Sequence, residues 1–281
     1  MSWSKVKTLL IVLFAFVNIF LAYNLYFKSG TASEVSTQTV TSTVEILKRN
    51  NVEISPSLIN RKNKKVKKIE IVNSIDTHST LAENLLSESR KTSDGYTGTN
   101  GELKFSGVGF EYINKDKTGK LNINDNNAIE VSVKLLKEKG FEIKSSDIRD
   151  FTKSSQCYTL KFGKNINSLP IYESSLVIKI DTSGYLLSIE GYWPEIKKIR
   201  NDSKIETVNE TTVLINLITA PDFDTKKENE VVDIQLGYTL GGLPESETPI
   251  LLTPLPAYRI ILKNGENYIF DAKTGEFVYR Y

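Results

Sequence analysis

The chain has 281 residues, 40% of them hydrophobic, and a formal net charge of +2. That length supports two modest cores, and so balanced a charge argues against nucleic acid as the main partner. One cysteine (Cys157) and one histidine (His78) exclude an intramolecular disulfide and the Cys/His metal sites that need three or four such ligands.

The first element is the run "LLIVLFAFVNIFLAYNLYF", residues 9–27, nineteen positions without a charge. As a helix it would rise about 28 Å, close to the ~30 Å hydrocarbon core of a bilayer. It is longer than the apolar stretch of a signal peptide and ends in Tyr23, Tyr26 and Phe27, where an interfacial aromatic belt would sit. The run therefore reads as an uncleaved transmembrane helix. Lys5 and Lys7 precede it and Lys28 alone follows closely, which predicts a cytoplasmic tail at 1–8 and an extracellular remainder. On a helical projection Ile11, Ala15, Asn18 and Ala22 share one face, with Leu25 at its edge. Small residues let a second helix approach, and the Asn18 amide either bonds to that helix or to its own turn. This face is the candidate partner contact.

Residues 28–35 read as a polar tether, and four helical patterns follow. Val40, Val44 and Leu47 recur at helical spacing, with Lys48 and Arg49 in the last turn. "TLAE" sets Thr80 three residues before Glu83 as a capping box ahead of Leu81, Leu85 and Leu86, and leaves His78 in a turn. Ile129, Val133 and Leu136 form the face of a helix that stops at Gly140. Thr207 and Glu210 read as a second capping box, on a helix halted by Pro221. The rest reads as strands. Leu176, Ile178 and Ile180 alternate, as do Val232, Ile234, Leu236, Tyr238 and Leu240, and Cys157 opens a strand as a small buried hydrophobe. Tight turns between strands imply antiparallel pairing, so the fold class is α+β.

"VIKIDTSGYLLSIEGY" (177–192) and "NYIFDAKTGEFVYRY" (267–281) repeat one pattern: strand, Asp, Thr, Gly, strand. Asp can bond the turn amides and Gly supplies positive φ. Each follows a predicted helix, so 121–200 and 201–281 read as two copies of a helix-plus-sheet unit. Residues 28–120 then form a first extracytoplasmic α+β domain, and 121–281 a second region.

The repeat resembles the PepSY-like unit, whose strands end in "DAKTGE"-like text. The amino terminus resembles the YycI family through Trp3, Ser4, Lys5, Lys7 and Asn18, and "NGELKFSGVGFEY" (100–112) resembles that family's first outer domain. The resemblance implies a non-enzymatic, membrane-anchored regulator of a YycG (WalK) sensor histidine kinase controlling cell-wall metabolism in Gram-positive bacteria. Its partners would be the kinase, a YycH-like protein and the membrane, with no cofactor. A second reading is an anchored PepSY-like inhibitor or chaperone of an exported peptidase or other wall protein.

Other chemistry is sparse. Asn114, Asp116, Thr118, Gly119 and Asp125 fall on EF-hand spacing, but Asp125 replaces the bidentate Glu and strand text precedes the loop, so no metal site is assigned. Asp147, Asp150, Asp181 and Asp271 lack any flanking motif, and no catalytic residue is assigned. "RKNKKVKK" carries Arg61, Lys62, Lys64, Lys65, Lys67 and Lys68 and reads as a solvated loop or as a contact for anionic wall polymer or lipid head groups.

Overall fold

The computed structural model describes residue 7 and residues 10–20, 34–73, 75–242 and 250–281. Residues 10–20 are helical (α1). Residue 9 and residues 21–27 of the expected span, with Ala22 and Leu25, lie outside the described residues. Among the described residues no helix is long and apolar enough to cross a membrane.

From residue 34 onward the chain is mixed α+β. It opens with α2 (Thr37–Arg49), β1 (Val52–Ile54) and β2 (Lys65–Asn73). A second stretch holds α3 (Ile75–Leu85), β3 (Arg90–Lys91), β4 (Gly95–Gly98), β5 (Gly101–Ser106) and β6 (Gly109–Asn114). A third holds α4 (Ala128–Glu138), β7 (Ile148–Lys153), β8 (Cys157–Phe162), β9 (Asn165–Ile166), β10 (Leu169–Pro170), β11 (Ser175–Asp181) and β12 (Leu186–Tyr192). The long β13 (Glu195–Glu206) leads to α5 (Glu210–Ile218), β14 (Asn229–Thr239), β15 (Ile250–Leu252), β16 (Leu255–Leu262), β17 (Asn267–Asp271) and β18 (Phe277–Arg280).

Among the described residues, a helix followed by four antiparallel strands occurs three times, not twice. α3 precedes β3–β6, α4 precedes β7, β8, β11 and β12, and α5 precedes β14, β16, β17 and β18. The first two units share an eight-stranded sheet, in the order β3-β4-β5-β6-β12-β11-β8-β7. Their last strands pair antiparallel at its centre, with Ile189 opposite Tyr112. The strand order therefore reads as a unit and its mirror about the β6–β12 seam. The third unit forms a five-stranded sheet in which β1 adds to β14 in parallel.

Two hydrophobic cores follow from this, and they divide the chain differently from the boundaries 28–120, 121–200 and 201–281. Residues 81–112 share one core with residues 128–189, built around Leu103, Tyr112, Leu160 and Ile178. Residues 35–69 instead share a core with residues 213–272, where Leu47 of α2 packs with Val213, Leu214 and Leu217 of α5. The sequence ends of the α+β body close on each other because α2 and β1 present apolar stripes too small to form a core alone.

Local expectations met the packing with mixed results. Leu176, Ile178 and Ile180 are fully buried as alternation requires. The helix ends observed are Ser36 capping α2 by accepting from the Thr39 amide, and Gly140, at φ +86°, just beyond α4. Thr80 and Glu83 do not cap a helix, because α3 already starts at Ile75. His78 lies on that helix, half-buried, with its ring stacked 3.8 Å from Phe105, so a tertiary contact carries the helix past the expected start. Val232 is exposed and Val231 buried, because a register shift between Val231 and Asp233 reverses the strand's phase there. Cys157 opens β8 but is only half-buried.

The bulge has a measurable consequence. Val231→Asp places a carboxylate in the core and should lower unfolding free energy by at least about 2–3 kcal/mol. Val232→Asp should stay within about 0.5 kcal/mol of the parent. Urea denaturation of both variants checks the pair, and equal losses would contradict the buried–exposed assignment.

Candidate functional site

Three places are candidates: the amino-terminal helix, the basic run, and the joint between the two cores. In α1, Asn18 donates from Nδ2 to the Phe14 carbonyl at 2.9 Å. The amide thus satisfies one of its donors within its own turn. Ile11 and Ala15 lie on the same described stretch.

The basic run is not a single solvated loop. Arg61 Nε donates to the Val35 carbonyl at 2.8 Å and its guanidinium lies 3.7 Å from Glu34. Lys62 forms a β-bridge with Glu34. The Lys64 amide donates to Thr207 Oγ1, and its ammonium lies 4.0 Å from Glu210. Lys65, Lys67 and Lys68 belong to β2, which pairs with β13. That pairing sets Lys204 opposite Lys67 and Arg200 opposite Lys68. Like charges directly opposite on adjacent strands are unfavourable. Arg200 is relieved by Glu70 at 2.5 Å, whereas no ion pair joins Lys67 or Lys204 among the described residues. The second basic cluster, in "EIKKIRNDSKIE", was visible in the sequence, but its pairing with the first was not.

Thr207 and Glu210 do not form a capping box either. Asn209 is the N-cap of α5, and Glu210 Oε2 accepts from the Asn60 amide at 2.6 Å. Both side chains turn toward residues 60–64, whose backbone offers donors inside the core. Burial pushes the Glu210 carboxyl above its ordinary value, partly offset by the Asn60 amide and the Lys64 ammonium.

The third place is the joint. Lys164 follows β8 and is buried, with its ammonium donating to the Pro194 carbonyl at 2.7 Å and lying 5.3 Å from the Trp193 ring. Burial lowers its pKa, while Glu142, Glu195 and Asp147 act in the opposite direction. A cavity of about 260 Å³ opens beside it, walled by Phe105, Phe110, Phe141 and Trp193. An open polar cleft of about 1070 Å³ adjoins on the other side of Lys164 and Phe141. Nothing in the sequence singled out Lys164, because one lysine in "KFGKNI" carries no pattern.

The Asp residues of the hairpins act as turn caps. Asp271 Oδ1 accepts from the Lys273 and Thr274 amides, and Asp181 Oδ1 from the Tyr185 amide. Asp116 Oδ1 likewise accepts from the Thr118 amide, so the 114–119 loop carries the same turn chemistry. Asp147 is buried and bonded to the Lys144 amide and to Asn165.

A family model described as "YycI protein" matches residues 31–273. The chain belongs to the YycI family. That family is regulatory, non-enzymatic and membrane-associated, and is tied to the YycG/WalK two-component system. No curated protein matches this YycI-family chain. Among solved structures it is similar to an uncharacterized protein from Eubacterium rectale ATCC 33656, with 14% identity and a TM-score of 0.49, over 82% of this chain and 91% of that one. It is also similar to the Bacillus megaterium YpeB C-terminal domain, with 15% identity and a TM-score of 0.36, over 74% of this chain and 96% of that one.

Glu210 yields a pH test. Its raised pKa means that the folded chain holds this proton more tightly than the unfolded chain. Its contribution to stability is therefore greatest below the ordinary carboxylate value and is lost as pH rises through the raised folded value. Glu210→Gln keeps an acceptor for Asn60 and should flatten that decline. Urea midpoints measured from pH 4 to pH 7 check it, with the parent losing more stability over the interval than the variant.

Proposed function

We propose that residues 9–27 cross the membrane once as a helix, with 1–8 cytoplasmic and the body beyond Lys28 outside. The chain then regulates a YycG (WalK)-type sensor histidine kinase by packing this helix beside those of the kinase and of a YycH-like partner. Membership of the YycI family carries the reading. The uncharged run with an amide at its centre, Asn18, supports the lateral contact through Ile11, Ala15, Asn18, Ala22 and Leu25. A helix that fits one signalling state better than the other shifts the kinase by that difference alone. A contact worth about 1 kcal/mol shifts the equilibrium about fivefold. The outer units, read as PepSY-like, set the position of the helix.

Asn18→Leu and Ala15→Leu should each change expression of the kinase's target genes up to about fivefold at unchanged protein abundance. Reporter activity alongside quantitative immunoblotting checks this. Wild-type output from both variants would remove that face from the account. Replacing residues 9–27 with an unrelated span should abolish regulation, whereas an anchored peptidase inhibitor or chaperone would keep its activity.

The opposed pair Lys67–Lys204, which no ion pair relieves among the described residues, supports an additional role for the β2–β13 ribbon as a contact for anionic polymer or head groups. Lys65→Glu, Lys67→Glu and Lys204→Glu combined should weaken retention on isolated cell walls or anionic vesicles, with the difference fading as salt rises. Equal retention at low salt would count against the contact.

A further inference from the structure

The Lys164 cavity is built in a way that the regulatory reading does not use. An ammonium has three donors, and the bond to the Pro194 carbonyl occupies one. No carboxylate forms an ion pair with Lys164 among the described residues, although the residue is only 6% exposed. Glu142 and Glu195 line the same cavity but are exposed to solvent. A second donor is stranded at the same wall: Trp193 Nε1 is buried and without an acceptor among the described residues. Buried donors left unmade cost free energy, and a buried cation costs more unless a counter-charge approaches. Aromatic rings form part of the remaining wall, with Phe110 stacked on Phe141 at 5.8 Å and His78 on Phe105 at 3.8 Å, beside the apolar Leu81 and Val108.

We propose that this cavity binds a ligand bearing a carboxylate next to one aromatic or branched apolar group. The carboxylate would sit against Lys164 Nζ and Trp193 Nε1, with the apolar group between Phe105, Phe110 and Phe141. At about 260 Å³ the cavity takes a group of amino-acid size and leaves no room for a larger body. The adjoining polar cleft gives a longer ligand a way out, so the two sources of this chemistry are a free small carboxylate and the C-terminal residue of a peptide.

The test uses the full chain in detergent with Trp3→Phe, which leaves Trp193 as its one indole. Emission is followed on titration with N-acetylphenylalanine and with its neutral amide. The carboxylate should saturate, with a Kd at least about tenfold below that of the amide, as expected for a charge-assisted bond. Lys164→Met should bring the two probes to equal, weak binding. Val108→Phe, which fills the cavity wall and leaves Lys164 in place, should abolish binding of both at unchanged Tm. Tighter binding of N-acetyl-Ala-Ala-Phe would assign a peptide C-terminus, and equal binding a small carboxylate. The proposal is overturned if the acid and amide bind alike, if Lys164→Met keeps the preference, or if no probe saturates up to about 10 mM.

Discussion

The α+β body depends on one insertion. Ile166 and Ile171 lie in the chain between β8 and β11 of the middle unit, yet both are buried in the core built by the first and last segments. Each fully buried isoleucine contributes about 1.5–3 kcal/mol of hydrophobic stabilisation. Backbone and side-chain bonds fix the same segment. The Tyr172 amide donates to the Tyr238 carbonyl at 3.0 Å, and its hydroxyl to the Gln235 and Ala257 carbonyls. Arg259 lies over the Tyr172 ring, 4.7 Å from its centroid. Burial of the phenol raises its pKa, so Tyr172 stays a donor at this contact. The two cores therefore meet through packed side chains and hydrogen bonds, not merely through chain crossings.

The start of the described α+β body is tied down almost at once. Val35 is buried, and its amide donates to the Arg61 carbonyl at 2.8 Å. Six residues, 28–33, stand between the uncharged run and Glu34. Fully extended, six residues span about 20 Å. A core that includes both α2 and the last sheet thus sits within a short reach of residue 27. In the proposed function, this short link is what couples the body to the helix.

The joint and the basic ribbon belong to one neighbourhood in the chain. Residues 193–195 wall the Lys164 cavity and lead directly into β13, whose cations face those of β2. The Tyr238 hydroxyl donates to the Lys67 carbonyl, linking that ribbon to the five-stranded sheet. Polar and charged groups here have partners on two elements at once. A change in the relation of the two cores therefore has to break specific bonds, which favours discrete arrangements over gradual drift.

The sequence alone determined the α+β class, the helices near 40–49, 128–138 and 210–218, and the Asp–Gly hairpins, because these rest on local periodicity and turn chemistry. Its amino-terminal residues and the text at 100–112 also pointed to the family. It did not determine which segments share a core: residues 35–69 join residues 213–272 across the whole intervening chain, and no local signal encodes that. It misplaced the start of α3, the phase of β14 and the partners of Thr207 and Glu210, each decided by a long-range contact: Phe105 on His78, a bulge beside β16, and the amides of residues 60–64. The six basic residues were legible as a run, but their opposition to Arg200 and Lys204 came only from strand pairing. Lys164 was invisible for the same reason: a lysine's burial is fixed by what folds over it, here Pro194 and Trp193, thirty residues away in sequence.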